Sequence, residues 1–339
     1  MKARALSYLK QAFTFARRPP VKRALRLGVL ALILLFVGRS LVLSWGDIAH
    51  QHWHINWPLL VLGFALLIGQ ELSYGFIWQT ILRQLGYVLP WRICLRIYLA
   101  AEFVRYIPGN VWHVMARVTA VEREGVPKSF GLASMTVELA TKIATAALTF
   151  ALSLFWWGSL HGLAGIGRIA SLSLALIAVP MLVVGLHPRL LEWGLNRALK
   201  LLKRDPITLK LTFADIGRIA LAWLASWLVA GLGFWLALQA VLPLHPSLSV
   251  ALVCVGIYAL GWDVGFLSFI TPSGLFFREG AVALLLHLSG IVPDVVLGGV
   301  IAVFASRLLP TLAEIVSVTG AYLATRNTPA SLAGESANG

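Results

Sequence analysis

The chain has 339 residues, of which 59% are hydrophobic and only 12% are charged. A soluble domain carries about 25% charged residues, so this composition excludes a soluble globular protein and leaves no room here for a soluble catalytic domain. The net charge of +14 does not indicate nucleic acid binding, because the Lys and Arg residues cluster between long apolar stretches. That distribution is typical of membrane orientation signals.

The N-terminal segment, residues 1–26, carries eight Lys and Arg residues and no acid, and an apolar stretch follows at 27–45. This stretch is long, contains Arg39 and lacks the small-residue cleavage pattern of a secretory signal. We therefore expect a retained first span. The positive-inside rule then places the basic segment and the N-terminus in the cytoplasm.

The rest of the chain contains further candidate spans, since about 20 apolar residues cross a bilayer as a helix. They lie at about 57–82, 129–157, 168–187, 216–242, 247–271 and 293–323, and two interrupted segments lie at 91–125 and 272–290. The pattern predicts an all-α, polytopic membrane bundle of about seven or eight transmembrane helices plus two broken or re-entrant segments. We expect a single domain over 27–325 and a disordered tail over 326–339, which is small and polar.

A basic connector is predicted at 188–215. Between Pro188 and Arg218 the sequence has seven cations and three acids, which predicts a cytoplasmic location. Leucines recur there at near-helical spacing among the cations, which is typical of a helix lying on an anionic leaflet. An amphipathic connector and a lipid sensor both fit, and we favour the connector.

Two segments, Ile97–Asn110 and Ile257–Gly274, resemble each other weakly. Each contains a Pro/Gly break, then a short helical stretch that ends at a second punctuation, Gly125–Pro127 or Gly290–Pro293, and a long span follows. A matched pair of interrupted segments indicates a transporter binding site. A pair of structural kinks is the alternative, and the pattern leaves open whether the copies are parallel or inverted.

The breaks themselves favour an anion. A half-helix that begins inside the membrane directs its unpaired N–H groups and the positive end of its dipole beyond the break. Gly109, Asn110, Ser273 and Gly274 are suitable N-terminal residues for such half-helices. The sequence therefore predicts an anion-binding pocket between the breaks.

Twelve ionisable residues lie within apolar or interrupted segments, where each costs about 2.5–3.5 kcal/mol unless it pairs or lines a polar cavity. The bases concentrate around the breaks, and Arg binds phosphate in a bidentate manner. Glu138 and Lys142 are four residues apart, so an intrahelical pair without a binding role is an alternative for them. Arg39 is the weakest candidate, because it can extend to the nearby interface.

The predicted site has two sets of residues. The predicted substrate-binding residues are Arg105, Pro108, Gly109, Asn110, Trp112, His113, Arg117, Lys142, Pro272, Ser273, Gly274, Arg278 and Arg307. The predicted coupling or charge partners are Glu71, Glu102, Glu138, Asp263, Glu279 and Glu314. No nucleotide, zinc-protease or nucleophile motif occurs, so we predict no catalytic residue, metal or cofactor. The trio His50, His52 and His54 beside Asp47 is interpreted as part of an interfacial belt, with a metal site as the alternative.

Two motifs, Tyr106–Val114 and Thr271–Gly280, resemble those of the flippase-like family, the transmembrane domain of lysylphosphatidylglycerol synthases and their stand-alone relatives. The second motif is similar to a family pattern of Thr-Pro-Gly-Gly-Leu-Gly followed by Arg-Glu. The chain departs from that pattern at Ser273, and at Phe276 and Phe277, which occupy the last glycine of the pattern and the following position.

The resemblance covers about residues 20–325, and its strong motifs are these two. It carries over Pro108, Gly109, Asn110, Trp112, Arg278 and Glu279. It implies a multi-pass inner-membrane protein that moves lipids between leaflets, such as aminoacylated phosphatidylglycerol or polyprenyl-phosphate-linked glycans.

The leading hypothesis is therefore a lipid flippase or transporter, not an enzyme, that shelters an anionic or phosphate-bearing head group in a polar intramembrane cavity. Membrane lipids are the expected partners, together with a separate lipid-modifying or glycan-synthesis enzyme. One alternative is an integral-membrane transferase that uses a lipid-linked donor, with Asp47 and the nearby histidines as its reactive cluster. The other is a non-catalytic partner of a lipid or glycan synthase.

Overall fold

The structure, a computed structural model, describes residues 55–104, 112–157, 184–201, 208–244, 246–268 and 274–325, with isolated positions between these ranges. Every regular element in these ranges is helical. The helices are α1 (Trp57–Gln84), α2 (Trp91–Val104), α3 (Trp112–Arg123), α4 (Lys128–Trp157), α5 (Pro188–Leu201), α6 (Phe213–Val241), α7 (Leu248–Leu267), α8 (Phe277–Leu288), α9 (Val295–Val303) and α10 (Leu309–Thr325). A π-helix, Phe304–Leu308, joins α9 to α10.

Five helical segments of the described chain are long and apolar enough to cross a membrane: α1, α4, α6, α7 and Leu297–Leu323 of the α9–α10 unit. The predicted all-α, polytopic membrane fold is confirmed. The predicted first span at 27–45, the histidine trio, most of the span at 168–187 and the tail at 326–339 lie outside the described residues.

Two helix boundaries differ from the prediction for local reasons. Helix α6 begins at Phe213 instead of 216, because Thr212 caps it: its Oγ1 accepts from the Asp215 N–H (3.2 Å), and Asp215 Oδ2 accepts from the Thr212 N–H (3.0 Å). Helix α7 ends at Leu267 instead of 271, where the Ser268 hydroxyl donates to the Gly265 carbonyl (2.7 Å). The predicted connector therefore loses its last three residues to α6.

Helix α6 packs against α1, α4 and α7. Glycines bring the backbones close, as is typical of membrane helices. Gly63 of α1 faces Gly233 of α6, and a Cβ at either glycine would lie 2.8 Å from the other's carbonyl oxygen. A Cβ at Gly231 would overlap the backbone of Val255 in α7.

We expect Gly231→Ala to destabilise the protein by about 1–3 kcal/mol, because the added methyl group has to push α7 away from α6. Gly217→Ala is the matched control in the same helix, since nothing lies within 4 Å of its added Cβ. That change removes backbone freedom from the unfolded chain and should stabilise by about 0.4–1 kcal/mol. Thermal unfolding in detergent should show a lower midpoint temperature for Gly231→Ala and a higher one for Gly217→Ala. Equal changes in the two midpoints would contradict the close packing of α6 on α7.

Helices α7 and α8, which flank the second break, form an antiparallel hairpin. Gly261 of α7 faces Val282 of α8, and Gly265 faces the Arg278 side chain, so α8 runs back along α7. Gly274 has φ +66°, and a Cβ there would overlap the Gly265 carbonyl, so this glycine allows the close return. Helix α8 has 12 residues, about 18 Å. It is therefore too short to cross a hydrocarbon core of about 30 Å.

The two predicted repeat copies have the same element order in the described residues. Helices α3 and α8 both have 12 residues, and a glycine of positive φ follows each: Gly125 (φ +87°) and Gly290 (φ +72°). A long helical segment begins after each turn. The structure of the first break, between Val104 and Trp112, lies outside the described part of the chain.

Helix α5 forms the first half of the predicted connector. Leu191, Leu195 and Leu199 lie four residues apart and are buried, and α5 packs against α4. Leu190 and Trp193 are exposed. The leucine stripe thus attaches α5 to the bundle and leaves a second face of the helix exposed.

Candidate functional site

A small polar cavity lies in the middle of the bundle. Its lining residues are Glu71 and Tyr74 of α1, Tyr258 and Trp262 of α7, Arg278 of α8, Ser306 and Arg307 of the π-helix, and Pro310, Thr311 and Glu314 of α10. Glu71 is the fifteenth of the 28 residues of α1, which places the cavity at half the length of that helix. It encloses about 20 Å³, which is room for about one water molecule.

Arg278 is the cation of this cavity with the most unused hydrogen-bonding capacity. Its residue is only 9% exposed, and its Nε and Nη2 groups have no hydrogen-bond partner among the described residues. The guanidinium carbon lies 4.9 Å from the centre of the Tyr258 ring. A buried guanidinium with open donors suits an anionic ligand, because charge-assisted hydrogen bonds to phosphate or carboxylate are strong.

Glu279, the next residue, has a different partner. Its Oε1 lies 2.7 Å from Nε of Arg307, and both side chains are largely buried. Adjacent residues on a helix point in different directions, so one turn of α8 directs Arg278 to the cavity and Glu279 to the π-helix. The two neighbours thus face different groups, Tyr258 for Arg278 and Arg307 for Glu279.

The π-helix positions Arg307 in the cavity wall. Pro310 has no N–H to donate to the carbonyl of Ser306, and its ring would clash with that carbonyl in a regular α-helix. The helix widens instead, and the Leu309 N–H donates to the Phe304 carbonyl five residues earlier. Single π-helical turns often occur at functional sites.

Arg117 lies outside the cavity lining, in a separate cluster of buried side chains. Its Nη1 and Nη2 donate to Oε1 (3.2 Å) and Oε2 (2.5 Å) of Glu138, and Tyr98 also donates to Oε1 (2.8 Å). The guanidinium carbon lies 4.4 Å from the centre of the Trp78 ring and 4.1 Å from the centre of the Tyr98 ring. Both charged residues are buried. The predicted role of Arg117 in substrate binding is untested, and its contacts here join α1, α2, α3 and α4.

Lys142 lies in an aromatic cage formed by Tyr74, Trp223 and Trp262, whose ring centres are 4.1, 4.8 and 4.4 Å from its Nζ. Cation–π contacts of this kind stabilise a desolvated ammonium group. Lys142 also interacts electrostatically with buried Asp263 of α7. Tyr74 and Trp262 belong both to the cage and to the cavity wall, so these two rings lie between Lys142 and the cavity.

The intrahelical Glu138–Lys142 pair was the alternative to a binding role for these residues. The carboxylate of Glu138 is held instead by Arg117 and Tyr98, on neighbouring helices. The sequence missed the aromatic cage, because its three rings come from three different helices and no local pattern connects them.

The comparison with protein families matches the description "Lysylphosphatidylglycerol synthase TM region" over residues 23–313. The chain belongs to this family. The match covers most of the chain and confirms the resemblance drawn from the two motifs. A search of curated proteins found no match. Family membership and the spanning helices together identify a multi-pass membrane protein in a lipid-related process.

The remaining predicted site residues lie near the two breaks or at the end of α2. Arg105, Pro108, Gly109, Asn110, Pro272 and Ser273 lie outside the described residues. Trp112 begins α3, and His113 lies in its first turn. Glu102 is buried near the end of α2. Within the described residues, no group of three His, Cys, Asp or Glu side chains could hold a metal ion.

Phe276 occupies a position at which the family pattern has glycine, and its backbone conformation is unusual for phenylalanine. It directly precedes α8 with φ +71°, a region that bulky residues rarely adopt and that glycine adopts freely. The family pattern has glycine at this position. The chain therefore stores backbone strain, of order 1–3 kcal/mol, one peptide before the helix that carries Arg278 and Glu279.

Proposed function

We propose that this chain is a membrane lipid transporter that moves an anionic phospholipid or a polyprenyl-phosphate-linked lipid between leaflets. The head group passes through the central cavity while the hydrocarbon chains stay in the bilayer. The protein relocates the lipid without converting it chemically. The observation that supports this proposal best is the buried guanidinium of Arg278, which has open hydrogen-bond donors at the central cavity. The family of this chain is named for a lipid synthase.

The cavity has to open for this function. Its volume of about 20 Å³ is far below that of a lipid head group, so the described arrangement is a closed one. Alternating access around a central site requires separate openings towards the two leaflets. The α7–α8 hairpin contributes Arg278 and the π-helix contributes Arg307, so relative motion of these elements would open the site.

The charges around the cavity suggest how a phosphate is held and released. An entering phosphate would bind the open donors of Arg278 and compete with Glu279 for Arg307. Glu71 and Glu314 also line the cavity and supply two carboxylates for a coupling proton or cation. The cavity lining itself carries two acids, Glu71 and Glu314, and two bases, Arg278 and Arg307, and Glu279 pairs with Arg307 from outside this lining.

The proposal extends to location and partners. We place the protein in the inner membrane of the cell with its N-terminus in the cytoplasm, following the basic residues of 1–26. A separate enzyme that modifies lipids or builds lipid-linked glycans would supply the substrate. No nucleic acid takes part.

Reconstitution in liposomes tests the proposal. Fluorescent phosphatidylglycerol, phosphatidylcholine and a polyprenyl phosphate are placed in both leaflets, and an impermeant reductant bleaches the outer label. We expect the full chain to speed transfer of a phosphate-bearing anionic lipid, measured with and without a proton gradient. Protein-free liposomes and an Arg278→Gln protein are the controls.

Mass spectrometry of the recovered lipids separates relocation from conversion. No acceleration for any lipid in any gradient would refute the transport function. A new lipid product would favour the transferase.

A further inference from the structure

A second charged surface lies outside the central cavity, on helix α5. It is an open groove of about 880 Å³, which we call the basic groove. Its lining residues are Arg189, Glu192, Trp193, Asn196, Arg197, Lys200 and Pro206. The residues of α5 in this set recur at spacings of three and four, so they share one helix face. The buried leucine stripe occupies a different face of the same helix.

The described lining of the basic groove carries more cations than acids. Arg189, Arg197 and Lys200 have no ion pair within the described part of the chain. The acid of the groove, Glu192, accepts a hydrogen bond from the backbone N–H of Leu209 (3.2 Å). This contact directs one carboxylate oxygen towards the returning backbone. The lining therefore has three cations and one acid, and this net positive charge favours an external anion.

The groove also has the apolar features of a membrane interface. Trp193 is 63% exposed, and the guanidinium of Arg197 lies 5.6 Å from the centre of its ring. Leu190 beside it is 47% exposed. An exposed tryptophan among cations on an amphipathic helix is typical of a segment at the level of lipid head groups. The positive-inside rule predicts the cytoplasmic leaflet for this segment.

We propose that the basic groove binds the phosphate of an anionic phospholipid from the cytoplasmic leaflet. This would be a second lipid site, separate from the central cavity. The three cations neutralise the phosphate, and Trp193 and Leu190 contact the glycerol and the first methylene groups. The site holds a lipid beside the bundle and does not depend on transport.

Lipid binding by the purified full-length chain tests this site. Native mass spectrometry measures the dissociation constants of phosphatidylglycerol and phosphatidylcholine for the wild type and for the triple variant Arg189→Gln, Arg197→Gln, Lys200→Gln. We expect phosphatidylglycerol to bind the wild type preferentially. The triple variant should bind it about tenfold more weakly or worse, because each cation near an anionic lipid contributes substantially. All three residues are exposed, so thermal unfolding should be unchanged.

A charge-matched control removes three other exposed cations, Arg92, Arg123 and Lys210, by substitution with Gln. It should retain the affinity of the wild type. Equal losses in the two triple variants would overturn the proposal, since they would show a general charge effect. Unchanged affinity in the groove variant, or equal binding of phosphatidylcholine to the wild type, would also overturn it and leave this face to a protein partner.

Arg278→Gln separates this site from the central one. If Arg278→Gln abolishes phosphatidylglycerol binding and the groove variant does not, the lipid occupies the central cavity and the groove proposal fails alone. If only the groove variant loses the lipid and the wild type moves no lipid in liposomes, the transport function fails and the groove site stands.

Discussion

We expect Arg278→Gln to slow lipid translocation about 10- to 100-fold while the protein stays folded. A hydrogen bond to a charged group contributes about 1.5–3 kcal/mol, and the glutamine amide cannot replace a guanidinium that binds phosphate. The fold should tolerate the change because Nε and Nη2 of Arg278 have no hydrogen-bond partner among the described residues, so no carboxylate loses its partner. The liposome assay gives the rate, and thermal unfolding in detergent gives the stability.

Arg278→Lys and Arg218→Gln complete this experiment. Lysine keeps the charge but lacks the planar donor arrangement that binds phosphate in a bidentate manner, so we expect an intermediate rate. Arg218 is exposed and pairs with Asp215 at the start of α6, so its variant should translocate at the rate of the wild type. Wild-type translocation by Arg278→Gln would exclude this guanidinium as the head-group ligand.

Arg307 is less diagnostic, because it pairs with Glu279. Removing Arg307 leaves a largely buried carboxylate without its ion pair, and breaking such a pair is strongly destabilising. A loss of translocation in Arg307→Gln would therefore combine a binding effect with a folding effect. Arg278 separates the two effects because its donors are open.

The sequence predicts the spans well, because crossing a membrane depends mainly on the length and composition of each segment. Helix α1 was predicted at 57–82 and is found at Trp57–Gln84. The sequence also indicates which charges lie within the bundle. Glu71, Arg278 and Arg307 occur in apolar surroundings, and all three line the cavity. These predictions need no knowledge of which helices are neighbours.

The sequence does not reveal which buried side chains contact each other across helices. Arg117 and Glu138 are 21 residues apart on two helices, whereas the local spacing offered only Lys142 as an alternative partner for Glu138. The hairpin fold of the second break depends on contacts of Gly261 and Gly265 with α8, and Pro and Gly in the sequence indicate only an interruption. The π-helix was not predicted either, although Pro310 was its sequence signal.

The second large effect concerns the Arg117–Glu138 pair. We expect Glu138→Gln to destabilise the protein by about 3–5 kcal/mol, because removal of one partner of a buried ion pair leaves the other charge uncompensated. Arg117 is 2% exposed, and its guanidinium would remain charged in contact with the rings of Trp78 and Tyr98. Unfolding in detergent, followed by temperature and by denaturant, measures the loss.

A double variant distinguishes a structural pair from a substrate ligand. Arg117→Met with Glu138→Gln removes both charges and keeps similar side-chain volumes, so it should regain much of the stability lost in Glu138→Gln. Its translocation rate should recover with its stability if the pair only joins the four helices. A double variant that folds well and still moves no lipid would make Arg117 part of the binding site, as the sequence first indicated.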